Sequence, residues 1–196
     1  ISNENYKFLK ENIEGISNLG WPTEKIKIYS DKNKSSELFE FKNNNQRNFY
    51  LLKYSAVYNL MRKNKFLKFI KLKNYNLDII SKRSYDLIVN SEQSNPITKK
   101  YFQKKIEKKY KSLAHTAIID HKKIENKIAT QIFTKKGPIA FLPLSNNQTS
   151  IVFSNNSTKL MDKLSLLQII NKYNNQYKIT TVSYTHLTLP TRRGGG

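Results

Sequence analysis

The chain has 196 residues, with 35 Lys+Arg against 14 Asp+Glu for a formal net charge of +21, and it contains no cysteine. Disulfide scaffolds, thiolate metal sites and cysteine nucleophiles are thereby excluded, and 12% aromatic residues are too many for a disordered segment. The length suits one ordinary domain or two small ones with a real core.

In chain order, residues 4–14 read as the end of a helix. Gly15 to Pro22 read as a loop punctuated by Gly20 and Pro22, with Trp21 as a core anchor. Lys25-Ile26-Lys27-Ile28-Tyr29 alternates as a half-buried strand does. Leu38-Phe39-Glu40-Phe41 is its partner across the polar Asp31–Glu37 connection, which gives a β-hairpin. Tyr54, Val57, Tyr58 and Met61 are spaced as one buried helix face. Phe66 to Ile70 and Leu77 to Ile80 read as short strands, and Tyr85 to Val89 as an apolar strand covered on both faces. Asn95-Pro96 opens a helix carrying Phe102, Ile106 and Tyr110 on one side and lysines on the other. Four strands follow, Ala114–Asp120, Lys127–Phe133, Ile139–Leu144 and Thr149–Phe153, an antiparallel meander. An amphipathic helix over Leu160–Tyr173, with Leu160, Met161, Leu164, Leu167 and Ile170 inward, packs on that meander. The predicted class is α/β, a mixture of the α+β kind.

The charge admits two readings. Only Arg47, Arg62, Arg83, Arg192 and Arg193 are arginines, and the lysine excess accompanies abundant Asn, Ile and Tyr, all encoded by A/T-rich codons. Base composition accounts for that bias, whereas a phosphate-binding surface would use more Arg, whose fork grips phosphate at two points. The alternative is a lysine-rich module for nucleic acid or an anionic membrane, motivated by the charge and the Lys99–Lys111 run.

Reacting groups are scarce. His115 and His121 are not spaced as a metal-binding pair, His186 lies near the end, and there is no nucleophile elbow, P-loop or dinucleotide fingerprint. The visible residues supply walls. The most distinctive stretch is Gln131 to Leu144, where Gly137-Pro138 and Leu142-Pro143 interrupt a strand pair, as happens where a sheet borders a ligand.

Gln131-x-Phe133-Thr134-x-x-Gly137-Pro138-x-Ala140-x-Leu142-Pro143-Leu144, with Ser150-Ile151-Val152 after a polar turn, resembles the central motif of the ubiquinone-biosynthesis flavin monooxygenases. These are similar in fold to para-hydroxybenzoate hydroxylase. Asp86 to Val89 falls where that family has the strand leading to its second flavin and nucleotide motif, and Tyr110 to Ile119 where its first substrate-domain strand lies. The resemblance implies FAD, NAD(P)H as reductant, O2 as co-substrate and a prenylated phenol as substrate. It places Gln131, Phe133, Gly137, Pro138, Phe141, Leu142 and Pro143 at the substrate, with Pro138 also beside the flavin. Glu92 and Gln93 fall where the family has an Asp-Gly pair at the cofactor; Gln93 puts a side chain where glycine lets backbone approach closely.

The resemblance further implies an internal fragment and an incomplete fold. Residues 1–45 and 109–180 would belong to an antiparallel substrate domain with its packing helix, and 46–108 to part of a three-layer FAD-binding domain. The opening dinucleotide fingerprint and the Gly-Asp flavin motif would lie outside the chain. Residues 181–196 depart from the Lys/Asn-rich background and resemble a translated sequencing-library adapter, a non-native tail. The implied setting is cytoplasmic, peripheral to the inner membrane where a prenylated substrate resides, within reach of a ubiquinone-biosynthesis complex and without nucleic acid.

Overall fold

The structure is a computed structural model and describes residues 1–31, 33–42, 49–63, 86–91, 95–101, 106–107, 112–187 and 193–194. It divides into two compact units, Ile1–Asn64 with Lys111–Leu189, and Lys65–Tyr110 with Pro190–Gly196. The fold class is α+β: helices accompany a mixed sheet.

The first unit starts with helix α1 (Asn3–Asn12), whose Ser2 N-cap side chain accepts from the Asn5 N–H. A short 3-10 turn and β1 (Trp21–Thr23) follow; β1 pairs antiparallel with β4 (Phe49–Leu51). The expected hairpin is present as β2 (Lys25–Ser30) and β3 (Asn33–Lys42), with Ile26 opposite Phe41 and Ile28 opposite Phe39. The strand β3 is longer than expected and takes in most of the polar connection.

The four later strands are β6 (Leu113–His121), β7 (Ile128–Thr134), β8 (Gly137–Ser145) and β9 (Gln148–Asn155). With β10 (Ile179–Leu187) they join the hairpin in one seven-stranded sheet ordered β10-β6-β9-β8-β7-β2-β3. Two expectations are corrected by this order. The sheet is mixed, because β2 lies parallel to β7. The four strands also do not form a plain meander. β7, β8 and β9 do, but β6 sits beside β9, so the chain crosses the sheet end between His121 and Ile128 in a Greek-key arrangement. Backbone bonds from Ile124 N to Asn146 O and from His121 N to Asn147 O hold that crossing segment. β10 pairs with β6 from Ile179 opposite His121 to Leu187 opposite Ala114, so part of the segment set aside at 181–196 forms an edge strand here.

One sheet face carries the core: Ala117, Ile119, Ile139, Phe141, Ile151 and Phe153, closed by Leu166, Ile170 and Tyr177. Each such large apolar side chain contributes about 1.5–3 kcal/mol by leaving water. The covering helix is Lys163–Tyr173, in which Asp162 is the N-cap and its carboxylate accepts from the Ser165 N–H. Leu166 and Ile170 point inward with Ile169 and Tyr173 beside them, while Leu160 and Leu164, expected inward, are each 66% exposed.

The helix α2 (Tyr54–Arg62) forms as the spacing predicts, but none of its residues is buried. Its half-buried side runs through Ala56, Val57 and Leu60. Tyr54 and Tyr58 instead stack on each other at 6.2 Å, with the Arg62 guanidinium over the Tyr58 ring.

In the second unit α3 is Pro96–Tyr101, and Ile106, expected on a helix, lies in a two-residue strand, β5 (Ile106–Glu107), paired with β11 (Arg193–Gly194); Phe102 and Tyr110 lie outside the described residues. The proposed doubly covered strand is corrected as well: residues 86–91 have no strand structure, and Leu87 and Val89 are largely exposed. The two strands predicted over 66–80 lie outside the described residues. The fourth helix in chain order, Lys163–Tyr173, is α4 below.

Candidate functional site

The β7-β8 hairpin carries the distinctive motif. In its turn the Thr134 hydroxyl donates to Gly137 O at 2.6 Å and accepts from the Lys136 N–H. Gly137 has φ of 126°, and a Cβ built there would meet Ser154 O at 1.8 Å. Only glycine fits, because β8 starts in backbone contact with the end of β9. The Gly137 signal in the sequence therefore has its cause in strand packing. Pro143 is fully buried in a central strand, and the β8-β9 register shifts between Pro143 and Ser145. The missing N–H is thus placed at a bulge, where a proline does least damage to the ladder.

Strand alternation divides the predicted substrate residues between two faces. Gly137, Phe141 and Pro143 lie toward α4 and are buried. The Phe141 ring, 3% exposed, stacks on Tyr177 with centroids 5.9 Å apart, so its assignment to a ligand is corrected: it is core. Gln131, Phe133, Pro138 and Leu142 lie on the opposite face. Register brings them together, with Phe133 opposite Pro138 and Gln131 opposite Ala140. Ile28 of β2 flanks Gln131 on the other side. The same face continues through Ile26, Phe39 and Phe41, and through Val152 beyond Ala140. Phe39 is 64%, Phe41 54% and Phe133 47% exposed.

Among the described side chains from β3 through β8, this open face has no formal charge, in a chain of net charge +21. The reason is local. Lys25 and Lys27 of β2 alternate to the other face, where Lys27 Nζ lies 2.8 Å from Glu37 and 3.3 Å from Glu40, and Lys25 lies 3.3 Å from Glu40. Hydrogen bonds that Lys27 donates to Glu37 and then Glu40 push its ammonium up to about 12.

The Pro138-Ala140-Leu142 surface is uncharged and half-buried. The N-termini of α1 and α4 are occupied by their own caps, and the α4 cap is an aspartate. Glu92 and Gln93 lie outside the described residues. Among those described, no group of three His, Asp or Glu side chains is placed to hold a metal.

One polar cluster escaped the sequence reading. Asn126 Nδ2 donates to Ser145 O at 2.8 Å and to Thr149 Oγ1 at 2.9 Å, and Tyr177 OH donates to Asn126 Oδ1 at 3.1 Å. The His121 Nδ1–H donates to Lys122 O, leaving Nε2 to accept from Thr149. Trp21 Nε1 donates to Asn126 O at 2.6 Å, so one residue ties the crossing segment to β1, the β8-β9 turn and the segment after α4. No spacing rule announces such a junction, since its members are far apart in sequence. On the open side of β6, Asp120 accepts from Thr181 and from Gln148, and these bonds hold its carboxyl below the usual range.

No protein-family model matches the chain, and no curated protein matches it. No helix among the described residues is long and apolar enough to cross a membrane.

Proposed function

We propose that this chain is part of a flavin-dependent aromatic hydroxylase and supplies the sheet that walls its ring-binding pocket. More particularly, the motif residues favour the ubiquinone-biosynthesis type, acting on a prenylated phenol in the cytoplasm at the membrane periphery. The observation that carries this reading is the placement of Gln131, Phe133, Pro138 and Leu142 in register on one uncharged, apolar, partly exposed face.

FAD reduced by NAD(P)H would supply the oxygen chemistry, inserting one atom of O2 into the ring and releasing the other as water. The chain's own share is placement and exclusion of water. Phe133, Leu142 and Pro138 offer flat apolar contact to a ring, and the neighbouring Phe39 and Phe41 extend it toward an alkyl tail.

The test is substrate-dependent NAD(P)H oxidation by the full-length protein, followed by mass spectrometry of the product. A prenylated phenol should gain one oxygen atom. No NAD(P)H consumption above background with any phenol would defeat the proposal. The nucleic-acid and anionic-membrane alternative gains no support at this face: it is uncharged, and the described Lys25, Lys27 and Lys127 are held in ion pairs.

A further inference from the structure

Within that reading, on which this step rests, we infer that Gln131 is the specificity-determining residue of the open face. Its amide hydrogen-bonds the hydroxyl of a neutral aromatic ring laid against β7 and β8. Three observations converge. Gln131 is half-buried at the middle of β7, between Ile28 on β2 and Ala140 on β8. Across β2, β7 and β8, the other hydrogen-bonding side chains of the open face sit at strand ends, Ser30 on β2 and Ser145 beyond the β8 bulge. Among the described residues, none hydrogen-bonds the Gln131 amide.

A half-buried amide set in apolar surface loses part of its hydration without a protein partner, and a ligand that supplies the bond recovers it. Because the amide both donates and accepts, it suits a phenolic hydroxyl in either direction. The charge pattern fixes the rest of the occupant. The lysines of β2 face the other way, so among the described side chains a ring carboxylate would find no cation here and would be desolvated at a cost that a neutral phenol avoids. Phe133 and Leu142 then stack on the ring while Gln131 sets its rotation in the plane.

The experiment uses the full-length protein and its Gln131→Met and Gln131→Leu variants. Each is titrated with a 2-alkylphenol, the matching alkylbenzene and the matching alkyl-hydroxybenzoate, with bound flavin measured separately. Loss of a single neutral hydrogen bond should weaken phenol binding roughly three- to tenfold. Alkylbenzene binding and flavin content should stay unchanged, and the benzoate should bind wild type more weakly than the phenol. Equal losses for phenol and alkylbenzene, unchanged phenol binding in both variants, or preference for the benzoate would each overturn the assignment. The hydroxylase reading fails separately, through absence of flavin and of NAD(P)H oxidation, and these binding titrations do not depend on either.

Discussion

Replacing Gly137 by alanine tests how the motif is built. The backbone at φ 126° is strained for any residue with a Cβ, which costs about 1–3 kcal/mol. The new methyl would also sit 1.8 Å from Ser154 O and 2.9 Å from the Ser154 carbonyl carbon, so β8 and β9 must separate. That movement loosens the adjacent Ile139–Phe153 pair, both fully buried in the core. Together these effects predict a loss of about 3–5 kcal/mol, at the upper end for a single substitution, and a fall in Tm on the order of 10 °C for a protein of this size. Thermal melts followed by circular dichroism measure it directly. A variant melting within about 2 °C of wild type would show that the close approach of β8 to Ser154 is not a feature of the folded protein.

Phe141 and Phe133 should separate core from open face. Phe141→Ala should cost about 3–5 kcal/mol in denaturant unfolding, whereas Phe133→Ala, at 47% exposure, should stay within about 1 kcal/mol of wild type. Asn126→Ala takes one hydrogen-bond partner from each of Tyr177 OH, Thr149 and the Ser145 carbonyl and should cost about 3 kcal/mol, read in the same unfolding assay. Asp120 sets a pH dependence. Its folded-state pKa is lowered first by Thr181 and then by Gln148, so its stabilisation is present above the ordinary carboxylate value and lost as pH falls through the folded value. Melts of wild type and Asp120→Asn should therefore differ at neutral pH, with the difference starting to shrink as pH falls below about 4 and vanishing only below the folded value.

Much of the fold was legible because it was local. The hairpin at Lys25–Phe41 and the strands from Ala114 to Phe153 follow from period-two alternation and polar turns, and the structure extends each by a residue or a few. Pairing order was not legible. Nothing within Ile26 or Gln131 announces that β2 runs parallel to β7, or that β6 sits beside β9. Helix phase was misjudged at α4, where Leu166 and Ile170 pack on the sheet and Leu164 is exposed.

At the site, the sequence marked the right hairpin but could not divide its residues between faces. Alternation through Gln131, Phe133, Pro138 and Leu142 leaves Phe141 and Pro143 to the core. The signals at Gly137 and Pro143 come from packing and a bulge, and the open face rests on the residues between them.

The most direct test of the account is the visible absorption spectrum of the purified full-length protein. The account predicts a flavin band that bleaches when NAD(P)H is added without air. A colourless protein that gains no such band when incubated with FAD would contradict it.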